Sequence, residues 1–118
     1  MIRKFEGVNI AGPSAAELVD FYHEKLGIPI VFPGHGDSIG AKLGFTLAEP
    51  GIIVWQEEAK SAPVEFVFSC ESLDETYAEL NARGVTDTPP RLAEWGGREL
   101  NFIDPIGNKI MILEGDYA

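Results

Sequence analysis

Val64-Glu65-Phe66-Val67-Phe68-Ser69-Cys70-Glu71-Ser72-Leu73-Asp74-Glu75 changes period halfway along. Val64, Phe66 and Phe68 alternate, as in a strand with one buried face. From Ser72 the spacing is that of a helix start. The Ser hydroxyl can take the N–H of Glu75, and the Glu can reach back to the Ser N–H. Leu73, Tyr77 and Leu80 then carry an apolar stripe, and Gly84 stands where a left-handed C-cap belongs. A strand, a capped helix and a glycine stop are therefore legible in one run.

The same order occurs earlier at low contrast. Phe5, Val8 and Ile10 precede Ser14-Ala15-Ala16-Glu17, a second capping box; Leu18, Phe21, Tyr22 and Lys25-Leu26 follow at helical spacing, and Gly27 closes. After each glycine come short strand candidates. In the first half these are Ile28 to Phe32, Ala41 to Leu47 and Ile52 to Gln56. In the second they are a stretch near Val85, Leu100 to Ile103 and Lys109 to Leu113. Asp104-Pro105-Ile106-Gly107-Asn108 is a turn: Pro fixes φ early, and Gly and Asn tolerate positive φ later. Each half reads as βαβββ, and neither could bury its apolar faces alone. The expected fold class is α+β, one domain over 1–118, with module one at about 1–57 and module two at about 63–118.

Composition bounds the function. The 118 residues hold 9 Lys or Arg against 19 Asp or Glu, a net charge of −10, with 45% apolar and 24% charged residues. This is ordinary for a folded domain and works against nucleic acid or an anionic membrane as partner. No apolar run approaches the roughly 20 residues of a membrane span. The opening residues do not read as a leader, so the expected location is cytoplasmic. Cys70 stands alone, which excludes an internal disulfide and a thiolate cluster. There is no phosphate loop, dinucleotide fingerprint or serine elbow.

Asp20-Phe21-Tyr22-His23-Glu24-Lys25-Leu26-Gly27 resembles the first helix of the vicinal oxygen chelate superfamily, which includes glyoxalase I, extradiol dioxygenases and the fosfomycin and bleomycin resistance proteins. Trp95-Gly96-Gly97-Arg98-Glu99 followed by Asp104-Pro105-Ile106-Gly107-Asn108 resembles the end of the same superfamily's fold. The resemblance covers about Phe5 to Glu114. It implies two βαβββ modules forming a half-barrel around a central cavity, and commonly a homodimer. Enzymatic members place His or Glu metal ligands on the central strands. Carried onto this chain, those positions fall on Gly7, near Val54 or Trp55, on Glu65 and on Met111. One oxygen donor among them does not make a site for Mn²⁺, Ni²⁺ or Fe²⁺. His23 on the first helix and His35 in a loop do not replace the missing ligands. No metal and no cofactor is expected.

The candidate ligand-binding residues are Asn9, Phe32, Trp55, Glu65, Trp95 and Met111. Trp55 and Trp95 offer stacking faces, Trp95 on a segment that resembles the drug-groove border of bleomycin resistance proteins. Trp55 could equally be core, and Trp95 could plug one end of a barrel. Glu65 interrupts an apolar strand and lies on the face opposite Phe66 and Phe68, with Asn9 on the cavity side of the first strand. It would meet a cationic ligand, pair with Arg98 or Arg91, or lie on an exposed edge. The leading expectation is a metal-free protein that sequesters a cationic or aromatic small molecule and forms a homodimer. The alternatives are a metal-dependent lyase or isomerase resembling glyoxalase I, with an atypical site including Glu65, and an interaction domain with a vestigial cavity.

Overall fold

A computed structural model describes residues 1–34 and 39–115, so His35 lies outside the described residues. The chain forms two compact units, Met1–Ala62 and Pro63–Ala118. Each is βαβββ. In the first unit β1 (Gly7–Gly12), α1 (Ala15–Val19), β2 (Ile30–Phe32), β3 (Ile39–Leu43) and β4 (Gly51–Gln56) build a sheet of order β1-β4-β3-β2. In the second, β5 (Glu65–Cys70), α2 (Leu73–Ala82), β6 (Arg91–Leu92), β7 (Arg98–Ile103) and β8 (Lys109–Glu114) repeat the order as β5-β8-β7-β6. Neither sheet closes into a barrel.

Both helices start as the capping spacing predicts. Ser14 Oγ accepts from Glu17 N at 3.1 Å and Ser72 Oγ from Glu75 N at 3.2 Å. The next orphan donor is held by the last strand of the same unit. Ala15 N donates to Gln56 Oε1 at 2.9 Å, and Leu73 N to Glu114 Oε2 at 3.1 Å. Gln56 and Glu114 both end the last strand of their units, so the repeat extends to the helix anchor. Gly84, at φ +76°, ends α2 in a Schellman turn, Val85 N donating to Leu80 O and Gly84 N to Asn81 O. The first helix departs from expectation. It continues from α1 as a π-helical stretch, Asp20–Lys25, in which Leu26 N reaches Phe21 O five residues back. Phe21 and Tyr22 are both buried there, with their rings 5.2 Å apart edge to face.

Other expectations move by a few residues. Phe5 does not join the first strand; it is exposed, and β1 begins at Gly7. The strand expected near Val85 is the two-residue β6 at Arg91–Leu92. Residues Glu57 and Ser61 still bond to β1, at Gly12 O and Ala11 O, so the first unit runs past 57. Its core is Ile10, Leu18, Tyr22, Ala41, Leu43, Ile52 and Val54; that of the second is Leu73, Leu80, Leu100, Ile110 and Ile112.

Candidate functional site

Strand parity separates the two faces of the second sheet. Leu100, Ile110 and Ile112 take the buried side; Glu65, Val67, Met111, Asn101 and Glu99 alternate with them onto the other. This open face holds a concavity of about 430 Å³ whose lining includes Glu65, Arg91, Glu99, Asn101, Lys109 and Met111. Glu65 and Met111, two of the candidates read from the sequence, therefore share one surface. Glu65 is exposed on the edge strand beside Lys109, its register partner. Neither arginine considered for it is its partner. Arg98 binds Asp74 at 3.0 Å and Glu114 at 3.0 Å, while Arg91 binds Glu99 at 2.7 Å.

The most heavily bonded group on this face is Glu99, a residue that lies within a motif of the sequence but was not among the expected ligand contacts. Its side chain is 5% exposed. Oε2 accepts from Trp95 Nε1 at 3.1 Å, and Oε1 from Arg91 at 2.7 Å and Asn101 Nδ2 at 3.1 Å. The Trp95 bond first, then those of Arg91 and Asn101, holds the carboxyl below its ordinary range against the opposing effect of burial. A tight hairpin turn makes this possible. Ala93 N bonds Gly97 O, Gly96 N bonds Ala93 O, and Gly96 takes φ +96°. The Trp95 ring folds back over Gly97, where a Cβ would fall inside it. Trp95 remains 52% exposed, so its indole offers a face to solvent beside a buried carboxylate. The signal available in the sequence was the four-residue step from Trp95 to Glu99 across two glycines.

The next turn repeats the geometry. Asp104 N bonds Asn108 O, Gly107 N bonds Asp104 O, and Gly107 has φ +93°. Asp104 Oδ1 accepts from Ile106 N and Asn108 N, and Oδ2 from Asn108 Nδ2 at 2.8 Å. Asn108, fully buried, accepts from Val64 N at 3.0 Å and so ties the start of β5 to the β7–β8 hairpin. This turn sets the register of the open face.

In the first unit Asn9, Ile53, Lys42 and Phe32 fall in one row across the four strands, on the face opposite Ile10, Ile52 and Val54. Trp55 shares that face, and its Nε1 donates to Asn9 Oδ1 at 2.8 Å. Asn9, Phe32 and Trp55 thus share one face of this sheet, and Glu65 and Met111 one face of the other, while Trp95 stands apart from them in the β6–β7 turn beside Glu99. Lys42, not singled out by any pattern in the sequence, is buried beneath, its ammonium 3.4 Å from Glu6.

The strands also show what surrounds the metal-ligand positions that the resemblance implied. Met111 is third in β8, opposite Val67; the residue third in β4, opposite Asn9, is Ile53, next to Val54 and Trp55. Gly7 pairs with Gly51 at φ +148°, where a Cβ would strike the Gly51 carbonyl, so no liganding side chain fits there. The four positions that the resemblance implied are Gly7, Val54 or Trp55, Glu65 and Met111. Among the described residues no group of three His, Cys, Asp or Glu side chains converges. Two apolar or absent side chains and a thioether leave Glu65 as the only hard donor of the four, and the residues do not fit Mn²⁺, Ni²⁺ or Fe²⁺.

A family model of the Glyoxalase/Bleomycin resistance protein/Dioxygenase superfamily matches residues 4–112. The chain belongs to this superfamily. A solved structure of a superfamily member from Sphaerobacter thermophilus is 25% identical, with a TM-score of 0.76 and 97% and 98% of the two chains covered. TnmS3, an antibiotic binding protein from a Streptomyces species, is 21% identical, with a TM-score of 0.76 and 98% of both chains covered. Lactoylglutathione lyase from Agrobacterium tumefaciens is 12% identical, with a TM-score of 0.73 and 97% and 95% covered. The latter two show the shared fold. No curated protein matches. No helix among the described residues is long and apolar enough to cross a membrane.

Proposed function

We propose that this superfamily member is a metal-independent small-molecule binding protein that sequesters a cationic or aromatic compound. The observation that carries the reading is the open face of the second sheet. It presents an exposed indole fixed on a buried carboxylate, while three of the four positions for metal ligands hold no hard donor. On the second unit's face Trp95 supplies stacking surface and Glu65 and Met111 orienting groups; on the first unit's face, taken by itself, Trp55 and Phe32 supply flat walls and Asn9 an orienting group. Glu65 and Lys109 balance locally, so long-range attraction of a cation rests on the chain's net charge of −10. The fold shared with an antibiotic binding protein is compatible with this reading, and that shared with lactoylglutathione lyase keeps the lyase as the alternative.

The test uses protein dialysed against chelator. Planar aromatic compounds of positive, neutral and negative charge are titrated while tryptophan fluorescence is followed. Saturable quenching that survives metal removal, and that falls in Trp95→Phe or Trp55→Phe, is the expected result. Near-stoichiometric Ni, Zn, Mn or Fe retained after dialysis, with lyase turnover of a glutathione hemithioacetal and no quenching, would overturn it.

A further inference from the structure

Within that binding reading, we infer that the Glu99 carboxylate is the cation-recognising group of the second sheet's open face, and that Arg91 is its tethered counter-ion, displaced by the cation of an aromatic ligand. The Glu99 side chain is 5% exposed, whereas that of Arg91 is 71% exposed, so the pair is buried on one side only. Trp95 Nε1 and Asn101 Nδ2 are neutral donors that orient the carboxylate without cancelling its charge. Arg91 alone brings a bonded positive charge to it. A buried carboxylate does not tolerate losing its counter-charge, so removing Arg91 creates a demand for another cation.

The neighbouring cations do not meet that demand. Arg98 alternates onto the other face of β7 and is bound to Asp74 and Glu114. Lys109 pairs in register with Ile103 and Glu65, four residues along β7 from Glu99. Arg91 itself sits on the shortest strand of the sheet, the two-residue edge strand β6, both of whose residues are exposed. Swinging its guanidinium into water uncovers little protein surface, and an arginine is fully solvated there. A ligand that joins a positive charge to a flat ring would replace the ion pair at Glu99. It would also gain the exposed indole of Trp95 alongside, through stacking and cation–π attraction. The concavity of about 430 Å³ next to these groups suits a molecule of one or two fused rings.

Calorimetric titration of the metal-depleted full chain with N-methylquinolinium, and with lepidine as the neutral ring carrying one methyl group, tests this at mildly alkaline pH. Arg91→Gln should bind the cation about tenfold more tightly and lepidine with unchanged affinity. Arg91→Lys, a single-point donor, should fall between. Glu99→Gln should bind the two probes alike. Unchanged or weakened cation binding in Arg91→Gln overturns the inference. If lepidine binds while no variant prefers the cation, the inference fails and the binding reading stands. If neither probe binds wild type or Arg91→Gln, both fail. Thermal melts of each variant separate loss of fold from loss of binding.

Discussion

At the scale of single residues, Asn108 and Gly97 decide the geometry that the face depends on. Asn108 is fully buried and bonded to Val64 N and Asp104. Asn108→Ala strands Val64 N and removes one donor from Asp104, and an unsatisfied buried group costs about 1–3 kcal/mol. Denaturant unfolding should show a loss of that size, and Asn108→Asp should lose at least as much, because it sets a second carboxylate against Asp104 Oδ2 where an amide donated. Gly97→Ala acts differently, since its φ is unexceptional and only the Trp95 ring stands in the way. The ring must leave, breaking its bond to Glu99. In a Trp55→Phe background the emission of Trp95 should shift to the red, with a stability loss of about 1–3 kcal/mol from the lost bond to Glu99; an unshifted spectrum would show that the ring does not pack on Gly97. The sequence made Asp104 to Asn108 legible as a turn because proline and glycine have few conformational options. It left Glu99 unread because a glutamate in a strand is usually solvated, and only the fold-back of Trp95 and the register of Arg91 bury this one.

Among elements, the repeat was legible in the caps and glycine stops because these are local signals. The π-helical stretch was not: its widened turn lets the adjacent Phe21 and Tyr22 share the core, which 3.6-residue periodicity does not foresee. Nor was the anchoring of each helix start by Gln56 or Glu114, which depends on where the last strand ends. In the second unit Arg98 joins that anchor to α2 by binding both Glu114 and Asp74. The Arg98 hydrogen bond, then its charge, holds the Asp74 carboxyl below its ordinary 3.8, as Trp95 and then Arg91 hold Glu99 below 4.5. Depressed folded values give a definite sign. Well above the ordinary values both states are ionised and the contribution is complete. As pH falls through 3.8 to 4.5 the unfolded chain takes up protons first, and stability drops until the folded carboxyls protonate too. Urea unfolding across acidic pH should show this decline, and Glu99→Gln should flatten it. An equal slope in the variant would mean that Glu99 is not held ionised by its donors.

For the whole molecule, the open sheets bear on assembly. Each sheet ends on one side in an edge strand, β1 or β5, that among the described residues pairs with a single strand, its inner neighbour. Residues 57 to 61 cover the far end of β1, leaving Gly7 to Ile10 with outward backbone groups uncovered by strand pairing. Val8 on β1 and Val67 on β5 are exposed as well. Natural sheets protect such edges with charge, proline or a partner, and Glu65 is the sole charged residue on either strand. A second copy of the chain, related by a twofold axis, would cover both apolar and hydrogen-bonding groups. Light scattering at micromolar concentration should therefore give twice the chain mass, despite the repulsion of two chains each carrying −10. That repulsion is screened by salt, so the dimer should strengthen from low to physiological ionic strength. Val67→Lys, which puts a charge on the open edge, should shift the mass toward one chain. A monomeric wild type at all salt concentrations would refute the assignment of these edges to self-association.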